Sequence, residues 1–173
     1  MGVATANRTI GPFWHLLDDP AWAYRTRFGA GGPRIVRSGR IADGEGAAVS
    51  DACVELCQAD PPADKTFPGF RRWATDAAGR FRFVTLQPGP VHGHGNLPQA
   101  PHVALTVSAR GLLHGLVTRA YFQGQALNDT DPLLASIADP ARRATLIATH
   151  NGPDACTLDI HLQGNHETVF LEI

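Results

Sequence analysis

The residues of this 173-residue chain best suited to metal or nucleophilic chemistry are eight histidines and three cysteines, and their spacing bounds what they can do. The densest group is His92-Gly93-His94, followed by His102. Along an extended strand residues i and i+2 face the same way, so His92 and His94 could share a metal with His102 crossing from a neighbouring strand. Their host segment, Pro88 to Pro98, has the composition of a loop, where histidines are ordinarily surface residues. Cys53 and Cys57 lie four apart and share a face, but no second cysteine pair exists to complete a zinc site. Cys156 sits in an alternating strand far downstream, so all three cysteines read as core thiols in a reducing environment. No Gly-x-Ser-x-Gly elbow presents a serine nucleophile, and no x4-Gly-Lys loop cradles a phosphate.

The elements that must position such groups are short, because 18 glycines and 13 prolines punctuate the chain. Residues 1–33 contain Gly11-Pro12, Asp19-Pro20 and the run Gly29-Ala30-Gly31-Gly32-Pro33, and read as an extended arm. Ile10, Phe13, Trp14, Leu16, Leu17, Trp22, Tyr24 and Phe28 make that arm too apolar for a solvated tail, so it should pack on this domain or on another chain. From Arg34 the pattern alternates with period two. Runs 34–42 and 50–58, split by Asp43-Gly-Glu-Gly46, read as one hairpin; runs 71–75 and 80–86, split by Asp76-Ala-Ala-Gly79, read as a second. Further strands are expected at 103–108, 115–122, 156–163 and 168–173. A helix is expected over 139–150, with Asp139 as N-cap, Pro140 at its first position and Asn151-Gly152 as its stop, and a shorter turn of helix at 132–137. The fold class is therefore all-β: an antiparallel sandwich over 34–173 with the N-terminal arm and one or two short helices.

A formal net charge of −1 gives no bulk attraction for nucleic acid or anionic lipid. No run of about 18 apolar residues spans a bilayer, and the N-terminus lacks the apolar core of a secretory signal. The chain reads as soluble and cytoplasmic.

Several local patterns, in order, match a known family. They are Thr9-Ile-Gly-Pro-Phe13, Val54-Glu-Leu-Cys-Gln-Ala-Asp60, Asp76-Ala-Ala-Gly-Arg-Phe-Arg-Phe83, Pro88-Gly-Pro90, Ala100-Pro-His-Val-Ala104, Ala109-Arg-Gly111, Thr118-Arg-Ala-Tyr-Phe122 and the C-terminal 156–173. On these the sequence resembles the intradiol ring-cleavage dioxygenases from about Thr9 to Ile173. The resemblance implies a β-sandwich and a ferric ion held by two tyrosinates and two histidines, hard anionic oxygens suiting Fe(III). The positions that match those ligands here are Lys65, Val91, His102 and Ala104. Three of the four donors are missing, and the only tyrosines, Tyr24 and Tyr121, lie at neither tyrosinate position.

The resemblance therefore implies the iron-free alpha chain of a two-chain member. Fe(III) would belong to a beta-chain partner, alpha–beta heterodimers would assemble further, and the substrates would be a catechol-type aromatic and O2. The isolated chain is expected to be inactive. In such heterodimers the alpha arm reaches the partner's iron pocket, which assigns Thr9, Gly11 and Pro12 to that pocket together with Arg110. Glycine allows close backbone approach, proline fixes the arm locally, and a guanidinium can meet a substrate carboxylate or a neighbouring acidic group. Two rival readings are a non-enzymatic β-sandwich that uses its arm to bind another protein, and a metalloenzyme built on His92, His94 and His102.

Overall fold

The computed structural model describes residues 29–172; the arm positions Thr9, Gly11 and Pro12, with the expected packing of that arm, lie outside the described residues. Two β layers enclose the core. The first is built on β1 (Arg34–Ala42), whose inward positions are Ile35, Arg37, Gly39 and Ile41. From Arg34 to Arg40 β1 pairs antiparallel with β4 (Arg80–Leu86). Its other edge pairs in parallel with β10 (Ala155–Thr157) and then β11 (Ile160–His161). The second layer runs β3 (Phe70–Ala74), β2 (Cys53–Cys57), β7 (His102–Ser108) and β8 (Leu116–Phe122), all antiparallel. β9 (Ile147–His150) joins the layers, pairing in parallel with β8 and antiparallel with β10.

The expected all-β sandwich is what forms, with a mixed sheet. Between the layers Ile35, Ile41, Phe81, Phe83 and Ile160 meet Val54, Leu56, Val103, Leu105, Val107 and Phe122. Burying apolar side chains at about 25 cal/mol per Å2 is the main drive for that closure. At Gly39 a Cβ would run into the Leu158 carbonyl, so β1 approaches its neighbour backbone to backbone. A second cluster, Ala100, Tyr121, Leu134 and Leu146, lies on the far side of β7 and β8. There α1 (Pro132–Ser136) contributes Leu134.

Five local expectations need correction. The two hairpins do not form as pairs, since β1 bonds to β4 and β2 bonds to β3 and β7. The turn chemistry itself is present: Asp43 accepts from the amides of Glu45 and Ala47, and Asp76 from those of Ala78 and Arg80. A turn closes only its own few residues, and here both turns serve as corners that carry the chain between layers. Next, the helix expected over 139–150 stops early. α2 covers Pro140–Ala144, and Ile147–His150 is strand, with the carbonyls of Leu146 and Ala148 accepting from the amides of Tyr121 and Gln123. Those sheet bonds and the β-branched Thr145, Ile147 and Thr149 outweigh the continuation of a five-residue helix.

The segment expected as plain loop carries a two-residue ribbon, β5 (Val91–His92) against β6 (Pro98–Gln99), around a 3-10 turn at His94–Asn96. Finally, the end of the chain is a strap rather than a strand, held by the Leu171 amide on the Val117 carbonyl at 2.7 Å and by the Thr118 hydroxyl on the Val169 carbonyl at 2.8 Å. Cys53 and Cys156 are buried as expected, but Cys57, at the end of β2, is exposed.

Candidate functional site

β7 alternates strictly, placing Val103, Leu105 and Val107 in the core and His102, Ala104 and Thr106 on the opposite face. Register sets Tyr121 opposite His102 and Arg119 opposite Ala104. The ribbon sets Gln99 opposite Val91, and the Gln99 Oε1 accepts from Arg119 Nη1 at 3.2 Å. Three of the four positions named above, Val91, His102 and Ala104, are thus drawn round one cluster. Lys65 is exposed in the loop between β2 and β3, on a turn that Asp64 holds by accepting from Thr66 and Phe67, and no described contact ties it to the cluster.

At the centre of the cluster the Tyr121 hydroxyl donates to Asp131 Oδ1 at 3.1 Å and accepts from Arg119 Nη1 at 3.2 Å. Asp131 is fully buried and caps α1, Oδ1 accepting from the amides of Leu133 and Leu134 while Oδ2 accepts from that of Ala100 at 2.9 Å. His102 stacks on Tyr121 with ring centroids 5.3 Å apart, and its Nδ1 donates to the Ala100 carbonyl at 2.8 Å. That bond fixes the tautomer and leaves Nε2 as its one lone pair. Burial is the main cause that lowers the His102 pKa; the Arg119 charge works the same way, against the Ala100 bond and Asp131. Burial pushes the Tyr121 phenol up to about 12, with Arg119 opposing.

These residues do not fit a ferric ion. Val91 and Ala104 carry no donor atom, Lys65 carries a cation, and across from Ala104 stands a guanidinium that repels one. One imidazole lone pair remains. His92 is exposed, its Nδ1 3.4 Å from the Asn96 carbonyl, and among the described residues no three His, Cys, Asp or Glu side chains converge. A groove of about 350 Å3 lies away from the cluster, lined by residues of α2 and β9–β11 and of the segments beside them, including Asp159, His161 and His166. Arg110, beyond the far end of β7, is exposed and its Nε donates to the Asp51 carboxylate. The length of β7, about 20 Å at 3.3 Å per residue, separates it from His102.

Sequence reasoning missed Gln99, Arg119 and Asp131. Asp131-Pro132 repeats the capping signal read at Asp139-Pro140, so the cap was findable. Its second oxygen reaching Ala100, 31 residues back, left no local mark.

A family model described as a dioxygenase matches residues 24–164, and the chain belongs to that family. The particular relatives are two-chain enzymes. The protocatechuate 3,4-dioxygenase alpha chain of Pseudomonas putida is 34% identical over 97% of this chain and 96% of its own length. The beta chain of the same enzyme from Burkholderia cepacia is 34% identical over 79% of this chain and 67% of its own. Among solved structures, the dioxygenase domain of a dioxygenase–carbohydrate-binding fusion from Streptomyces sp. SirexAA-E superposes with a TM-score of 0.65 at 26% identity, covering 92% of this chain and 98% of that one.

Proposed function

We propose that this chain is the iron-free alpha subunit of a protocatechuate 3,4-dioxygenase. The observation that carries this reading is near-full-length similarity to an alpha chain in a sequence whose ligand positions read Lys65, Val91, His102 and Ala104. Fe(III) belongs to a beta-chain partner, and the heterodimers assemble further in the cytoplasm. The assembled enzyme cleaves protocatechuate with O2 between its two hydroxylated carbons, giving 3-carboxy-cis,cis-muconate in the beta-ketoadipate route of aromatic catabolism.

This chain's part is to wall the partner's pocket through Thr9, Gly11, Pro12 and Arg110. Arg110 is pre-aimed by Asp51 and offers a guanidinium either to the substrate carboxylate or to the partner's own acidic groups. Expression with and without a four-ligand dioxygenase chain tests the assignment: an iron-containing complex with ring-cleavage activity is expected only from the pair. Within that pair, Arg110→Ala should leave iron content and assembly intact and slow turnover. A direct carboxylate contact, about 1.5–3 kcal/mol, makes protocatechuate suffer more than a catechol lacking the carboxylate. Equal loss on both substrates would assign Arg110 to positioning the partner's loops, and no loss would remove it from the pocket.

A further inference from the structure

The first layer contains a buried charge that its surroundings do not satisfy. Arg37, only 5% exposed, points into the core from β1. Its guanidinium lies 3.4 Å from the centroid of the Phe122 ring, and Nη2 reaches the Gln87 Oε1 at a long 3.5 Å. Nε and Nη1 are buried with no hydrogen-bond partner. Burial lowers its pKa to about 10, with the nearby Cys156 opposing that shift, so the group is still a cation at neutral pH. A buried cation with orphaned donors is destabilising unless an acceptor meets it.

Register identifies what stands beside it. Arg37 is the strand partner of Cys156, and Cys156 is the partner of His150, so three adjacent strands place guanidinium, thiol and imidazole in one row. The His150 Nε2 donates to the Gln123 carbonyl at 3.2 Å, which leaves Nδ1 as an acceptor, and the Cys156 thiol donates to it at 3.3 Å. His150 is exposed, so the buried sulfur lies one side chain from solvent. Arg37 and Cys156 also share the wall of a cavity of about 10 Å3, lined otherwise by Ser38 and by apolar groups such as Leu56, Phe83 and Val103. Such a space holds about one water-sized molecule or one added oxygen atom.

We propose that Cys156 is a peroxide-oxidisable thiol whose sulfenic acid is received by the two unpartnered N–H groups of Arg37. His150 takes the thiol proton as the sulfur attacks one oxygen of hydrogen peroxide. An S–O bond forms, the O–O bond breaks, and the departing hydroxide takes the proton back from His150 to leave water. Sulfur is oxidised by two electrons and the peroxide is reduced by two. The new oxygen is a stronger acceptor than sulfur and occupies the cavity, meeting the donors that the thiol leaves without a partner. This inference is independent of the subunit assignment.

The test uses the full chain, with its iron-bearing partner where one co-purifies, exposed to hydrogen peroxide, quenched with catalase and only then unfolded in urea that contains dimedone, so that the label reaches a sulfenic acid enclosed by the fold. Peptide mass spectrometry then reads Cys53, Cys57 and Cys156 separately. Buried thiols are ordinarily inert, so Cys57, the exposed one, sets the reference. The expected result is oxidation of Cys156 about tenfold faster than of Cys57 when peroxide meets the native protein, with the difference lost when peroxide is added in urea. Arg37→Met should reduce the Cys156 label to the level of buried Cys53. One equivalent of peroxide should raise the thermal midpoint of the wild type and not that of Arg37→Met. Label confined to Cys57 after oxidation of the native protein, or equal labelling of Cys156 in wild type and Arg37→Met, overturns the proposal. Should Arg37→Met fail to fold, the native Cys156 to Cys57 ratio decides alone.

Discussion

Asp131 and Arg37 are both charged, both buried, and held in opposite ways. Asp131 lies outside the β7–β8 face and accepts four hydrogen bonds, from the Tyr121 hydroxyl and the amides of Ala100, Leu133 and Leu134. Arg37 lies between the layers and has one long bond and an aromatic ring. The difference teaches that burial alone does not say what a charge is for. A carboxylate whose oxygens are all engaged fastens α1 to the start of β7, and this is structural work. A guanidinium with two idle donors beside a thiol contributes little to stability as it stands, and its N–H groups point to an acceptor that the reduced protein lacks.

Removing each charge sharpens the contrast. Asp131→Ala loses a helix cap and leaves the Ala100 amide and the Tyr121 hydroxyl without their acceptor, so the expected cost is about 3–5 kcal/mol in denaturant unfolding. Asp131→Asn should recover part of that loss, because one amide oxygen can still cap the helix while the amide nitrogen faces a donor. Arg37→Met removes a buried cation and fills the same volume with a hydrophobe. Its expected effect on the reduced protein lies between neutral and a gain of about 1–4 kcal/mol, read from the same denaturation curves. Comparable losses for Asp131→Ala and Arg37→Met would erase the distinction drawn between the two sites.

Much of the frame was legible because it rests on period-two alternation. Arg34–Ala42 and Arg80–Leu86 read as strands from their own residues, and they are β1 and β4. Their pairing was not legible, because Asp43-Gly-Glu-Gly46 and Asp76-Ala-Ala-Gly79 specify tight turns without specifying whether the chain stays in one layer. The segment Ile147–His150 misled for a related reason: after a good cap at Asp139 and Pro140, only the waiting edges of β8 and β10 decide for strand. At the candidate site, the residue types alone show that Lys65, Val91 and Ala104 offer a ferric ion no anionic donor. The polar cluster was not legible, since Arg119 meets Gln99 and Tyr121 meets Asp131 only after β6, β8 and α1 have been brought together.

The smallest expected effect concerns His102, which faces Asp131, Arg119, Tyr121 and the Ala100 carbonyl at once. Burial, helped by Arg119, sets its folded pKa below the unfolded value near 6.5. In the window between the two values the unfolded chain binds more protons than the folded one, so unfolding free energy rises with pH there. The stability is fully present above about 6.5 and is lost as pH falls through the folded value. The chain holds seven other histidines, so the quantity to measure is the difference between wild type and His102→Gln in denaturation curves from pH 8 to pH 5. That difference should be flat above about 6.5 and move against the wild type below it. Adding Arg119→Gln to the wild type should shrink the slope, because it removes one cause of the lowered value and leaves burial to act against Asp131 alone. A difference curve that moved in favour of the wild type on acidification would mean that the imidazolium is stabilised beside Asp131. The His102 cluster would then, unlike the row at Arg37, hold a cation beside its anion.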